Sequence, residues 1–177
     1  MNAKAYTQTY RYTLSTLTLL LALAFGTITP ATAQPSFSDE DLGQIIEEMG
    51  QRLNQPEVRA HVTRAQWDTF SENLEKALTC GHEGVQQGAL RMIIFYGDNL
   101  TISRTVVHEA VRIYRDHHDD RMRRMAVVVL GKIQDPWGLD MLKRSARFEK
   151  SPGVRHTIQA VLAESGAIDA GPAKVGS

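Results

Sequence analysis

Apolar residues along this chain recur every three or four positions and nowhere alternate with period two for long enough to make a strand. Leu42, Ile45, Ile46, Met49 and Leu53 form one such stripe, and Trp67, Phe70, Leu74, Ala77 and Leu78 a second. Ile102, Val106, Val107, Ala110, Val111 and Tyr114 form a third, and Trp137, Leu139, Met141, Leu142, Ala146 and Phe148 a fourth. That spacing places each set on one face of an α-helix. Start and stop signals agree with it. Ser38 precedes Asp39, Glu40 and Asp41, where the positive end of a helix favours carboxylates. Thr63 and Gln66 form a capping-box pattern, Ser103 or Thr101 can cap the third stripe, and Asp135-Pro136 opens the fourth. Asn54-Gln55-Pro56 and Cys80-Gly81 read as stops. The pattern predicts an all-α protein.

Three segments can be laid on one another, starting at Val85, Met122 and Val154. Each has an apolar residue first, small or apolar residues at the fourth and fifth places, and an aliphatic residue at the ninth. Asp98 and Asp135 both lie thirteen residues past a start. The starts are separated by 37 and then 32 residues. Two helical stripes per period of this length signal an array of helix pairs. The links Arg115–Asp120 and Glu149–Gly153 are short and polar, which predicts antiparallel neighbours.

The first 33 residues differ from the rest. They carry Lys4 and Arg11 but no acid, then the apolar run Leu17–Phe25, Gly26, Pro30 and the small triplet Ala31-Thr32-Ala33. This order predicts a cleavable secretory signal over 1–33, with cleavage before Gln34. The apolar run is too short for a span, which needs roughly 20 residues. The expected organisation is a cap-helix region over 34–63, helical repeats over 64–168 and a frayed tail over 169–177. The expected location is exported, periplasmic in a Gram-negative source. Without the leader the chain has 18 basic and 20 acidic residues. A net charge of −2 gives no global reason to bind nucleic acid or an anionic membrane. The single cysteine, Cys80, excludes an internal disulfide.

The run Arg123-Arg124-Met125-Ala126-Val127-Val128-Val129-Leu130-Gly131-Lys132-Ile133-Gln134-Asp135-Pro136-Trp137 resembles a HEAT repeat, most closely the variant shared with phycobilisome-lyase-type proteins. Val154-Arg155 through Glu164 matches the start of that pattern again, and 82–98 matches loosely with Gln86 in the arginine's place. The resemblance implies a short right-handed α-solenoid of about three antiparallel pairs over 64–168, with a leading cap helix over 38–54. It implies that helices near 84–96, 120–133 and 152–164 line the concave face. It also implies a structural ladder in which Arg123 meets Asp98 and Arg155 meets Asp135. Arg91, Arg124 and His156 then fall on the concave helices as candidate contacts to an anionic partner. A lyase-like accessory role for a tetrapyrrole protein rests on this analogy alone, and export argues against it.

The residues offer little chemistry. His117-His118-Asp119-Asp120, with His108 and Glu109 upstream, contains metal-ligand types. Adjacent loop residues rarely converge on one ion, and Asp119 and Asp120 are explained as cap and first-turn residues of the next helix. Cys80 two residues before His82 lacks a third orienting group, so packing, or a disulfide to another chain, is the expected use. Trp137 reads as a plug between repeats. No Gly-rich phosphate loop, Ser-His-Asp set or cysteine-metal spacing is present. The expectation is a non-enzymatic scaffold without cofactor, whose partner is another exported protein. Its rival is a metal-dependent activity at the 117–120 loop.

Overall fold

The computed structural model describes residues 38–166, so the leader and tail expected over 1–33 and 169–177 lie outside the described residues. The described chain is all-helical, without strands. Its helices are α1 (Asp39–Leu53), α2 (Pro56–Arg59), α3 (Arg64–Thr79), α4 (Glu83–Tyr96), α5 (Arg104–Asp116), α6 (Asp120–Ile133), α7 (Pro136–Ser145) and α8 (Pro152–Glu164). Two 3-10 segments, Gly97–Asn99 and Ala146–Phe148, follow α4 and α7. None of these helices is long and apolar enough to cross a membrane.

The caps act as the sequence predicts. Ser38 and Thr63 each complete a capping box, with Asp41 and Gln66 respectively. Ser103, Asp119, Asp135 and Ser151 accept from backbone N–H groups of α5, α6, α7 and α8. Each cap satisfies one of the donors that a helix start leaves without an internal partner.

The helices pack in two rows. In the first row α3 lies on α5 and α5 on α7; in the second row α1 lies on α4, α4 on α6 and α6 on α8. The two rows meet through α1 on α3, α3 on α4, α5 on α6, and α7 on both α6 and α8. The core between them includes Phe70, Leu74, Leu78, Leu90, Ile93, Ile113, Leu130, Leu142, Ile158 and Leu162, all essentially inaccessible. Trp67 wedges against Phe70 and Tyr96, with ring centroids 6.3 and 6.0 Å away. The Tyr96 hydroxyl donates to Asn54 Oδ1 at 3.2 Å, tying the ends of α1 and α4 together.

The second-row helices approach closely and run in a common direction where contacts define it. Gly43 faces Val85, Gly88 faces Ile46 and Gly50 faces Met92, so α1 and α4 advance together. Along α6 and α8, Arg124 lies by Gly153 and Gly131 faces Val161. A Cβ on Gly131 would sit 2.6 Å from Val161 Cγ1, and one on Gly50 would sit 2.9 Å from the Met92 terminal methyl.

Val85, Met122 and Val154 each occupy the third position of their helix and are buried. The turns that precede them match as well. Cys80, His117 and Glu149, five residues before those starts, have φ, ψ of −69°, 156°, −74°, 139° and −66°, 123°. His82, Asp119 and Ser151, three residues before, have −96°, 113°, −87°, 119° and −74°, 120°. One turn geometry is used three times.

Two side chains depart from the pattern. Phe148 belongs to the fourth stripe by spacing but is 69% exposed. α7 tightens into the 3-10 segment after Ser145, and three residues per turn instead of 3.6 rotates Phe148 off the buried face. Trp137 is 40% exposed and stands against His108 of α5, with centroids 4.7 Å apart, at the edge of the contact between α5 and α7.

Gly131→Ala should destabilise by about 1–3 kcal/mol, because the added Cβ meets three carbons of the short, branched Val161 side chain, not the end of a flexible one. Gly50→Ala should be neutral or stabilising. The Met92 tail is flexible, and alanine favours a helix interior by about 1 kcal/mol over glycine. Thermal or urea melts of the two variants check this; equal costs would contradict the close α6–α8 approach.

Candidate binding surface

The second place of each repeat, held by Gln86, Arg123 and Arg155, does a different job from the expected ladder. Gln86 Nε2 donates to Leu78 O at 3.0 Å and to Cys80 O at 2.7 Å. Arg123 Nε donates to Tyr114 O at 2.9 Å, and Arg155 Nε to Glu149 O at 3.1 Å. Gln86 and Arg123 reach back to the C-terminal ends of α3 and α5, whose last carbonyls have no intrahelical donor, and Arg155 reaches Glu149, which follows the 3-10 segment after α7.

The proposed Arg123–Asp98 and Arg155–Asp135 pairs do not form. Asp98 accepts from Lys132 Nζ at 2.6 Å, and Asp135 accepts from the Gly138 N–H at 2.9 Å as the cap of α7. The reason is geometric. Both aspartates follow the C-terminal ends of α4 and α6, whereas both arginines stand at the starts of α6 and α8. At 1.5 Å rise per residue, the two ends of a fourteen-residue helix are about 20 Å apart. No arginine side chain spans that distance.

Arg123 also joins successive turns. Its terminal nitrogens bind Asp120 at 3.1 Å and the buried carboxylate of Glu149, while its guanidinium carbon lies 5.8 Å from the Tyr114 ring centroid. Glu149 Oε1 accepts from the Ser151 N–H at 2.9 Å. The Ser151 hydroxyl donates to Asp120. That hydroxyl, followed by Arg123, holds the Asp120 carboxyl below its ordinary value of 3.8. Burial raises the Tyr114 phenol above its ordinary value, the Ser145 hydroxyl opposing it.

The 117–120 loop is occupied by structural roles. His117 Nδ1 accepts from the Asp119 N–H at 3.0 Å, and His117 Nε2 stands 3.7 Å from Glu83 Oε1. His118 stacks on His117, and Asp119 Oδ1 accepts from the Arg121 N–H. His108 is drawn to Trp137 and Glu109 to Arg112. Among the described residues, no group of three or more His, Cys, Asp or Glu side chains is placed to hold a metal ion. Cys80 Sγ sits 3.0 Å from Ala77 O, within its own helix end.

Two concave features lie on the second row, and a third of about 400 Å³ is lined among others by α2 and by Gln66 of α3. A cavity of about 560 Å³ lies between α1 and α4, lined among others by Ile46, Glu47, His82, Arg91, Met92 and Phe95. A groove of about 490 Å³ runs over α4, α6 and α8, lined among others by Ile94, Val128, Gly131, Lys132, Val161 and Glu164. No residue of α3, α5 or α7 lines either one. Of the predicted contacts, Arg91 lines the first cavity; Arg124 and His156 are exposed but line neither.

Phe95 is the residue the sequence reading missed. It is 70% exposed and stands one turn after Arg91 on the same helix face. The signal was present in the repeat register: the eleventh place holds Lys132 and Glu164 in the later segments but an aromatic ring in the first. Arg91 makes no ion pair or hydrogen bond with any described residue, and Glu47 accepts only from Gln51.

Comparison with protein-family models, with curated proteins and with solved structures finds no match for this chain. The described residues define an all-helical protein with a cavity between α1 and α4 and a groove over α4, α6 and α8.

Arg123→Met should cost about 3 kcal/mol, because it leaves the Glu149 carboxylate buried without its cation. Arg123→Met with Glu149→Met should be less destabilised than Arg123→Met alone, which chemical unfolding of both variants checks. The Asp120 carboxyl supplies a pH signature. A folded value below the unfolded one stabilises fully above 3.8, and this contribution is lost as pH falls further. Asp120→Asn should flatten the loss of stability below about pH 4 relative to the parent. An unchanged acid limb in pH-dependent melts would contradict the Ser151–Asp120–Arg123 contact.

Proposed function

We propose that this protein is an exported, non-enzymatic interaction module whose second-row helices present one face to a protein partner. The supporting reading of the architecture is a short α-solenoid of three antiparallel pairs, α3–α4, α5–α6 and α7–α8, capped by α1 and resembling the HEAT type. The thrice-repeated turn and the three second-place donors favour that reading, since each repeat buries its apolar face only against a neighbour. The leader pattern over 1–33 supports export.

The observation that carries the functional reading is Phe95 beside Arg91 at the α1–α4 cavity. A large aromatic left 70% exposed next to an unpaired guanidinium is costly to hydrate and useful to bind. Aromatic and arginine side chains dominate the energetic centres of protein interfaces. The cavity volume suits one or two inserted side chains, and Glu47 on the opposite wall gives the partner a position for a donor.

The test uses protein recovered from the exported fraction, whose intact mass should place its first residue within a few positions of Gln34. Cross-linked partners are captured with this protein and with Phe95→Ala and Arg91→Ala, and affinity for the captured protein is measured. Each substitution should weaken binding about tenfold or more, with the melting temperature unchanged. Undiminished affinity in both variants would overturn the proposed face.

A further inference from the structure

Charge is unevenly distributed along the order of packing. Residues 38–99 contain eleven acidic and five basic residues, a net of −6. Residues 100–166 contain eight acidic and twelve basic residues, a net of +4. The asymmetry is sharpest at the two ends. α1 has Asp39, Glu40, Asp41, Glu47 and Glu48 against one cation, Arg52, and none of these carboxylates forms an ion pair among the described residues. At the other end Lys143, Arg147, Lys150 and Arg155 are exposed, and none of them has a carboxylate partner among the described residues.

α1 and α8 are also the two helices of the second row with only one neighbour in that row. At the sixth place, where α4 and α6 bury Leu90 and Val127, α8 exposes Gln159. The last helix therefore does not offer an apolar face for another repeat of the same kind. It offers a polar surface rimmed with cations, and the first helix offers the opposite charge.

We infer that a second copy of this chain docks head to tail, the acidic outer surface of α1 meeting the basic surface around Arg147, Lys150 and Arg155. Opposite potentials on the two ends of one molecule steer encounter and fix orientation. The two surfaces are different patches, so the contact is heterologous and does not close on itself as a two-fold dimer does. Association then continues into short chains, and because the paired charges are exposed, it is sensitive to ionic strength.

The experiment is sedimentation velocity on the purified protein at about 20 mM and about 500 mM salt, a range over which the screening length falls severalfold. Apparent mass should rise with concentration at low salt without a plateau at the dimer, and return to the monomer at high salt. Two variants define the surfaces: Glu47→Lys with Glu48→Lys on α1, and Arg147→Glu with Lys150→Glu at the other end. Each alone should be monomeric at low salt with an unchanged melting curve, because one of its two ends no longer carries the net charge that attracts the other. An equimolar mixture of the two should associate again, because one variant keeps the basic end and the other keeps the acidic α1. A monomeric parent at low salt, a dimer plateau, or association that survives in either variant alone would overturn the inference.

Discussion

The constraint on which the rest depends is the end of each first-row helix, where carbonyls point out of the helix with no internal donor left to satisfy them. The chain answers three times with the same device. The residue after the first buried apolar position of the next helix folds back onto the turn before it: Gln86 donates to Leu78 and Cys80 and Arg123 to Tyr114 at the helix ends, and Arg155 donates to Glu149 just past the 3-10 segment. In each case three residues separate the second helix from the helical segment before it, the 3-10 segment in the case of α8, and the second helix starts in one orientation. The contact thereby fixes turn length, and turn length fixes which apolar residues face the core. A hydrogen bond from a charged donor contributes about 1.5–3 kcal/mol, enough to choose one register over its neighbours.

Arg123 extends the device from one pair to the next. Its Nε closes its own turn while its terminal nitrogens reach Glu149 in the following one. Glu149 is buried, so its carboxylate is tolerable only while the guanidinium remains beside it. Gln86 makes no such bridge, having no charge to offer, and there the link between turns falls to the looser Glu83–His117 contact at 3.7 Å. Cohesion along this edge is therefore stronger between the second and third turns than between the first and second.

Much of the helix layout was legible because caps and stripes are local. Ser38, Thr63, Ser103 and Asp135 act within three residues of themselves, and no tertiary knowledge is needed to place them. The equivalence of Val85, Met122 and Val154 was legible for the same reason. The partners of Arg123 and Arg155 were not, because they depend on the relative direction of helices that are distant in sequence. An aspartate thirteen residues past a repeat start lies at the wrong end of a helix running the same way as its neighbour. Phe148 was misplaced because a single change from 3.6 to three residues per turn leaves no mark in apolar spacing. The α1–α4 cavity needed the tertiary contact of α1 with α4, which no stripe encodes, although the aromatic at the eleventh place was open to view.

The most direct measurement of the central claim is side-chain hydrogen exchange by NMR at the three turn donors. The account predicts that the Nε protons of Arg123 and Arg155 and one Nε2 proton of Gln86 are resolved at neutral pH, exchange well below the rate of the exposed Arg121, and show cross-relaxation to the ends of α5, the Ala146–Phe148 segment and α3 respectively. Exchange at all three sites as fast as at Arg121 would contradict it.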